Sequence, residues 1–261
     1  MKSWKNKLLV STTLLLTAFG TNVQAKDWKV IRFGTESSYV PFEYKAPGNK
    51  LVGFDVDLGN AICAKLKAKC VWVENSFDGM IPALKAKKFD GILSSMTVTA
   101  DRSKQIAFSN KIYNTPTRMI AKKGSPLLPT AASLRGKRVG VQQGTMQESY
   151  AKAYWATQGV NVVPYPNQEI LYQDMMSGRL DASLQDALMV DAGFLKSPKG
   201  KNFGFAGGNV VDAKTLGVGA AIGLRKEDVD LKNDINKALA QIIADGTYKK
   251  LEKKYFPFSI Y

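Results

Sequence analysis

Four short stretches collect residue types able to hold a small charged molecule. Residues 34–42 (Gly-Thr-Glu-Ser-Ser-Tyr-Val-Pro-Phe) follow a strand-like run and mix small polar with aromatic side chains. Residues 94–102 (Ser-Ser-Met-Thr-Val-Thr-Ala-Asp-Arg) put hydroxyls at a strand end and Arg102 on the next short turn. Residues 141–146 (Val-Gln-Gln-Gly-Thr-Met) join strand to helix, where free backbone N–H groups can hold an anion. Residues 184–186 (Leu-Gln-Asp) end another strand on a carboxylate. Each has a plainer reading: Asp186 and Thr145 as helix caps, Arg102 in a surface ion pair, Tyr39 and Phe77 as core aromatics. The Gly144-Thr145 turn lacks the Gly-Lys-Ser/Thr signature of a phosphate loop.

Other chemistries are excluded by composition. The 261 residues contain no histidine, which removes Ser-His and Cys-His nucleophiles and imidazole metal sites. Two cysteines cannot build a four-thiolate zinc site, so neither metal nor cofactor is expected. Cys63 and Cys70 are not spaced as a C-x-x-C redox pair. In an oxidising compartment they would form a disulfide worth about 2.5 kcal/mol by chain entropy, the alternative being two buried thiols.

The elements that must position these groups alternate between strand and helix. Strands are expected at 30–34, 71–74, 90–94, 118–122, 138–141, 160–165, 180–184 and 216–224. Helical patterns occupy 57–66, 77–87, 146–155, 168–177, 187–195, 231–244 and 248–254, with Pro82 in a first turn. Such alternation predicts an α/β fold of parallel sheets covered by helices on both faces. In open sheets of this kind ligands bind beyond the carboxyl ends of strands, where all four stretches fall. Breaks near 114–116 and 207–212 divide the chain into one lobe of 26–114 plus 212–261 and a second of 115–211, joined by a hinge with a cleft.

Residues 1–25 read as a cleavable secretory signal: Lys2, Lys5 and Lys7, a short apolar run from Leu8 to Phe19, and small residues ending at Ala25. The run is shorter than the roughly 20 residues a membrane span needs. Export to the periplasm of a soluble protein follows. Without its signal the chain keeps 34 basic and 22 acidic residues, net +12. The lysines are scattered, as at Lys65, Lys67 and Lys69 or Lys85, Lys87 and Lys88, so solvated faces are expected rather than a nucleic-acid site.

In their order along the chain the stretches resemble the periplasmic solute-binding proteins for polar amino acids, in the branch that binds lysine, arginine, ornithine and histidine. The matching segments are 53–58 (Gly-Phe-Asp-Val-Asp-Leu), 77–84 (Phe-Asp-Gly-Met-Ile-Pro-Ala-Leu), 97–102, 136–141 and 245–248, together with the Cys63/Cys70 pair. The resemblance spans nearly all of 26–261 and implies a two-lobed periplasmic-binding-protein fold (type II, Venus-flytrap) with a two-strand hinge. By that resemblance Arg102 clamps the α-carboxylate of a free L-amino acid, helped by the N–H groups of Thr97 and Met146. Asp186 accepts the α-ammonium with the Ser95 carbonyl and the Thr97 hydroxyl. Side-chain choice falls to Glu36, Tyr39, Phe77, Ser94, Gln142 and Thr145, with the two aromatics as plates around a long stem. The lysine/arginine/ornithine proteins usually carry aspartate and leucine where Glu36 and Gln142 stand, and these two look more like the arginine-binding relatives. Arginine is therefore ranked above lysine and ornithine, then histidine. A protein at +12 repels cations at long range, so the discrimination has to be local.

The resemblance also implies a partner, the membrane permease of an ABC importer, and a monomeric receptor. An enzyme on the same architecture, a cyclohexadienyl dehydratase acting on prephenate or arogenate, would need a general acid in the cleft, and Glu36 is the candidate for it. A ligand-sensing half of a receptor would need a span or a signalling domain that the sequence lacks.

Overall fold

The computed structural model describes residues 28–261; the expected signal over 1–25 lies outside the described residues. In chain order the strands are β1 (Val30–Thr35), β2 (Ser38–Tyr39), β3 (Glu43–Ala46), β4 (Lys50–Val52), β5 (Lys69–Glu74), β6 (Gly91–Ile92) and β7 (Ala107–Tyr113). They continue with β8 (Thr117–Lys122), β9 (Arg138–Gln142), β10 (Asn161–Tyr165), β11 (Ala182–Asp186), β12 (Phe203–Val210) and β13 (Ala220–Leu224).

Two five-stranded sheets result, ordered β5-β1-β6-β13-β7 and β10-β9-β11-β8-β12, with β2, β3 and β4 in a small third sheet. The sheets are mixed, not parallel as expected. In the first, β5, β1 and β6 run parallel while β13 is antiparallel to β6 and β7. In the second, β10, β9 and β11 are parallel and β8 is antiparallel to β11 and β12. The reason is the double crossing: β8 enters the second sheet from β7, and β13 returns to the first from β12. This is the two-lobed fold, with two connecting segments between the lobes.

Short β9 is buried from Val139 through Gln142, as a strand covered on both faces must be. The helix Val229–Ala244 buries Leu231, Ile235, Ala238, Leu239 and Ile242, a stripe at helical spacing that packs on the first lobe. Phe33, Phe54, Leu58 and Ile222 fill the first core; Met119, Val141, Trp155 and Leu184 fill the second. Cys63 and Cys70 form a disulfide between the helix Phe54–Lys65 and β5.

Several expectations need correction. Of the break expected near 207–212, residues 207–210 lie inside β12, whose register shifts between Ala206 and Asn209, so Gly207 and Gly208 mark a bulge and the strand ends only at Val210. The helices expected over 146–155 and 187–195 widen into π-helical turns at Ala151–Trp155 and Asp191–Leu195. Residues 77–87 divide into a 3-10 turn, Phe77–Gly79, and the helix Met80–Lys85.

Candidate functional site

The first lobe presents the ends of β1 and β6. Glu36, just past β1, donates its backbone N–H to Ser94 Oγ at 2.9 Å, and that hydroxyl donates to Glu43 Oε1 at 2.9 Å. Ser95 adopts a left-handed backbone, φ 51°, uncommon for a side-chain-bearing residue. It is held there by its N–H on Asp55 Oδ2 at 2.8 Å, while the Tyr113 hydroxyl donates to Asp55 Oδ1 at 2.8 Å and lies 2.9 Å from Ser95 Oγ. Glu43 and Asp55 are both buried, and no basic group pairs with either among the described residues. Burial, then the Asp55 charge, pushes the Glu43 carboxyl well up.

Arg102 lies in the helix Ala100–Gln105, capped by Thr99, whose hydroxyl accepts the Arg102 N–H. Its guanidinium donates from Nη1 to the Thr97 carbonyl at 2.7 Å and from Nη2 to the Gly144 carbonyl at 2.9 Å. It also sits 5.4 Å from the Phe77 ring centre. Only 9% of the residue is exposed, and no carboxylate among the described residues reaches it. Burial lowers its pKa to about 10, so it stays charged at neutral pH without an anion beside it.

The second lobe contributes the ends of β9 and β11. Thr145 caps the helix Met146–Tyr150: its Oγ1 accepts from the Glu148 N–H at 3.2 Å and donates to the Gln142 carbonyl at 2.7 Å. The Glu148 carboxylate reaches back to the Gly144 N–H at 2.6 Å, a variant of the reciprocal capping box. Asp186 closes β11 and caps the turn Ala187–Val190, its Oδ1 accepting from Leu188 and Met189 N–H groups at 2.9 and 3.0 Å. Its Oδ2 accepts from the Thr115 hydroxyl. Burial raises the Asp186 carboxyl to about 6 against those donors. Asp186 and Thr145 are therefore caps, as their plainer reading had it, and cavity walls as well.

Tyr39, Phe77, Ser94, Ser95, Thr97 and Arg102 from one lobe face Gln142, Thr145, Met146 and Asp186 from the other around one narrow cavity of about 20 Å³. That is room for little more than one water molecule, so the walls must part to admit an amino acid. Glu36 does not line this cavity. It borders a wider, open cleft shared with Ser38, Gln168 and Tyr172, and it meets the inner cavity through Gln142, whose Nε2 donates to Glu36 Oε2 at 2.8 Å. Ser38 Oγ donates to the other oxygen at 2.9 Å. Burial raises the Glu36 pKa while these two donors oppose the rise.

Gln147, which joins the cavity wall, was not expected from sequence, nor were Glu43, Asp55, Thr115 and Gln168. Asp55 carried one signal, its place in the matching segment 53–58 (Gly-Phe-Asp-Val-Asp-Leu). The glutamines carried none, since a polar residue at a helix start reads as solvated. Among the described residues no cluster suited to a metal ion occurs, and no helix is long and apolar enough to cross a membrane.

Comparison with known proteins gives a consistent answer. The family model of bacterial extracellular solute-binding proteins, family 3, matches residues 31–258. The chain is 48% identical to the lysine/arginine/ornithine-binding periplasmic protein of Escherichia coli, over 98% of this chain and 99% of that one. It is 44% identical to an L-arginine-binding protein of Pseudomonas aeruginosa, over 98% of each. Among solved structures, an ancestral arginine-binding protein bound to arginine superposes with a TM-score of 0.81 at 36% identity, covering 87% of this chain and 98% of that one.

Proposed function

The chain belongs to the bacterial extracellular solute-binding proteins, family 3, and from that premise we propose that it captures a free basic L-amino acid in the periplasm and passes it to an ABC importer. Arginine is the favoured ligand, ahead of lysine, ornithine and histidine. The observation that carries the reading is the guanidinium of Arg102, buried and charged, with two carbonyls as its only side-chain hydrogen-bond acceptors among the described residues, in a cavity whose far wall holds the buried carboxylate of Asp186. A cation and an anion on opposite lobes match the two ends of a zwitterion.

Arg102 receives the α-carboxylate as a bidentate fork, and Asp186 receives the α-ammonium. Tyr39 and Phe77 flank the side-chain stem, and Glu36, steadied by Ser38 and Gln142, meets its terminal positive charge. Because the ligand's partners lie on both lobes, it binds the closed arrangement better than the open one and shifts the hinge equilibrium by that difference. The permease then reads the closed form. The lobes comprise 26–114 with 212–261, and 115–211; the leader over 1–25 directs export, and the receptor works as a monomer.

The protein is a receptor, not an enzyme, as its relatives are binding proteins. The dehydratase alternative would need Glu36 to donate a proton, yet Ser38 and Gln142 both donate to its carboxylate and fit it to accept. Titration calorimetry with the free amino acids tests the reading. Heat is expected with arginine, lysine, ornithine and histidine, and silence with all four would overturn it.

A further inference from the structure

Glu36 is connected to a residue outside the inner cavity by two amide side chains in series. An ionised carboxylate only accepts hydrogen bonds, so the 2.8 Å contact with Gln142 requires the Gln142 NH2 group to face Glu36. The Gln142 oxygen must then point the other way, where it accepts from Gln168 Nε2 at 2.8 Å. All three residues are buried. The oxygen of Gln168 has no partner among the described residues, so orienting Gln142 is the only hydrogen bond its buried head group makes. A buried amide retained for one contact, with its other end unpaired, adds little to stability by itself. Gln168 opens the helix Gln168–Met176, whose cap Asn167 accepts from the Ile170 N–H, so a rigid element sets its position.

We propose that Gln168 is a positioning residue for ligand specificity: by fixing which end of the Gln142 amide faces Glu36, it holds that carboxylate oriented and charged for a cationic side chain. The inference rests on the reading of the site as a receptor for basic amino acids. Without Gln168, the buried Gln142 oxygen loses its donor, so the amide is held by Glu36 alone and can swing away from the carboxylate to satisfy its oxygen elsewhere. Burial already works against the Glu36 charge, and Gln142 is the first of the donors that oppose it.

The test is a double-mutant cycle on L-arginine affinity by calorimetry, using Gln168→Met, which keeps length and removes the polar head, and Gln142→Leu. Gln168→Met is expected to weaken arginine about tenfold in the wild-type background and to change it less than twofold when Gln142 is already leucine. An equal loss in both backgrounds would mean that Gln168 supports the fold generally, and no loss in either would mean that it does nothing for the site; both overturn the proposal. A Gln168→Met protein that does not fold is replaced by Gln168→Leu in the same cycle. If the wild-type protein binds no basic amino acid, the receptor reading itself fails, an outcome distinct from either of those.

Discussion

The Nη2 of Arg102 donates to the carbonyl of Gly144 across the cleft at 2.9 Å. The residue assigned to the ligand's α-carboxylate is thus also a tie between the lobes, and its other arm is fixed on the Thr97 carbonyl within its own lobe. Carbonyl dipoles orient the guanidinium but do not neutralise it, which leaves its charge for an anion.

Arg102→Ala is therefore expected to abolish binding. It removes the counter-charge of a buried carboxylate and one interlobe bond together, a loss of about 3–5 kcal/mol or more than a hundredfold in Kd. Arg102→Lys keeps the charge without the planar fork and should fall at least about tenfold. Calorimetry on both variants, with circular dichroism to show the fold intact, checks the order; Arg102→Ala binding within threefold of wild type would remove Arg102 from the site.

Gly144 itself is predicted to be intolerant of a side chain. Its φ is +77°, and a Cβ there would stand 2.6 Å from Asp78 Cα, on the opposite lobe. The closest neighbour is backbone, which cannot swing aside as a flexible side-chain end would. Gly144→Ala should hold the jaws apart, weakening every ligand by about the same factor of ten or more, since closure is common to all of them. Small-angle scattering with saturating arginine would then show less compaction than in the wild type. Unchanged affinity and full compaction would show that the close approach is not needed.

The disulfide should matter for stability alone. Cys63 and Cys70 join the helix Phe54–Lys65 to β5 and line neither cavity. Replacing both with serine is expected to cost about 2.5 kcal/mol of chain-entropy stabilisation. For a protein of this size that lowers the Tm by roughly 5–10 °C. Arginine affinity at 25 °C should stay within twofold, as calorimetry on the double variant would show.

Which parts of this site were legible in the sequence follows from what fixes them. Thr97 and Asp186 stand close to the ends of strand-like runs and Arg102 on the short helix that follows one, so element boundaries alone are enough to find them. The direction of β8 and β13 was not legible, because antiparallel entry depends on the chain crossing between lobes, and alternation of elements carries no record of which sheet comes next. Bulged β12 was lost for a local reason: Gly207-Gly208 signals a break, and only pairing with β8 shows that the strand runs on to Val210. The Glu43–Asp55 pair and the Gln142–Gln168 relay are brought together only by the fold, and apart from Asp55's place in the segment 53–58 no local sequence feature announced them.

Opposite pH trends for stability and for binding provide the sharpest check on Asp186. Burial raises its carboxyl from 3.8 to about 6, so the native state holds that proton more tightly than the unfolded chain does. The unliganded protein should accordingly gain stability as pH falls from about 7 toward 5, and Glu43, shifted upward by burial, acts in the same direction. Asp90, paired with Arg32 and Arg225, is shifted downward and contributes stability that is lost only at lower pH, below the ordinary carboxylate range. Binding runs the other way: the α-ammonium needs an ionised Asp186, so affinity should weaken below about pH 6, by up to tenfold per pH unit for one proton taken up. Thermal melts across pH 5–8 should show the unliganded Tm rising toward pH 5 while the increment produced by arginine shrinks. In Asp186→Asn the pH dependence of that increment should flatten at a uniformly lower affinity. If the increment in the wild type is instead constant across the range, Asp186 does not carry the ammonium, and the site must hold that end of the ligand with its carbonyls and hydroxyls alone.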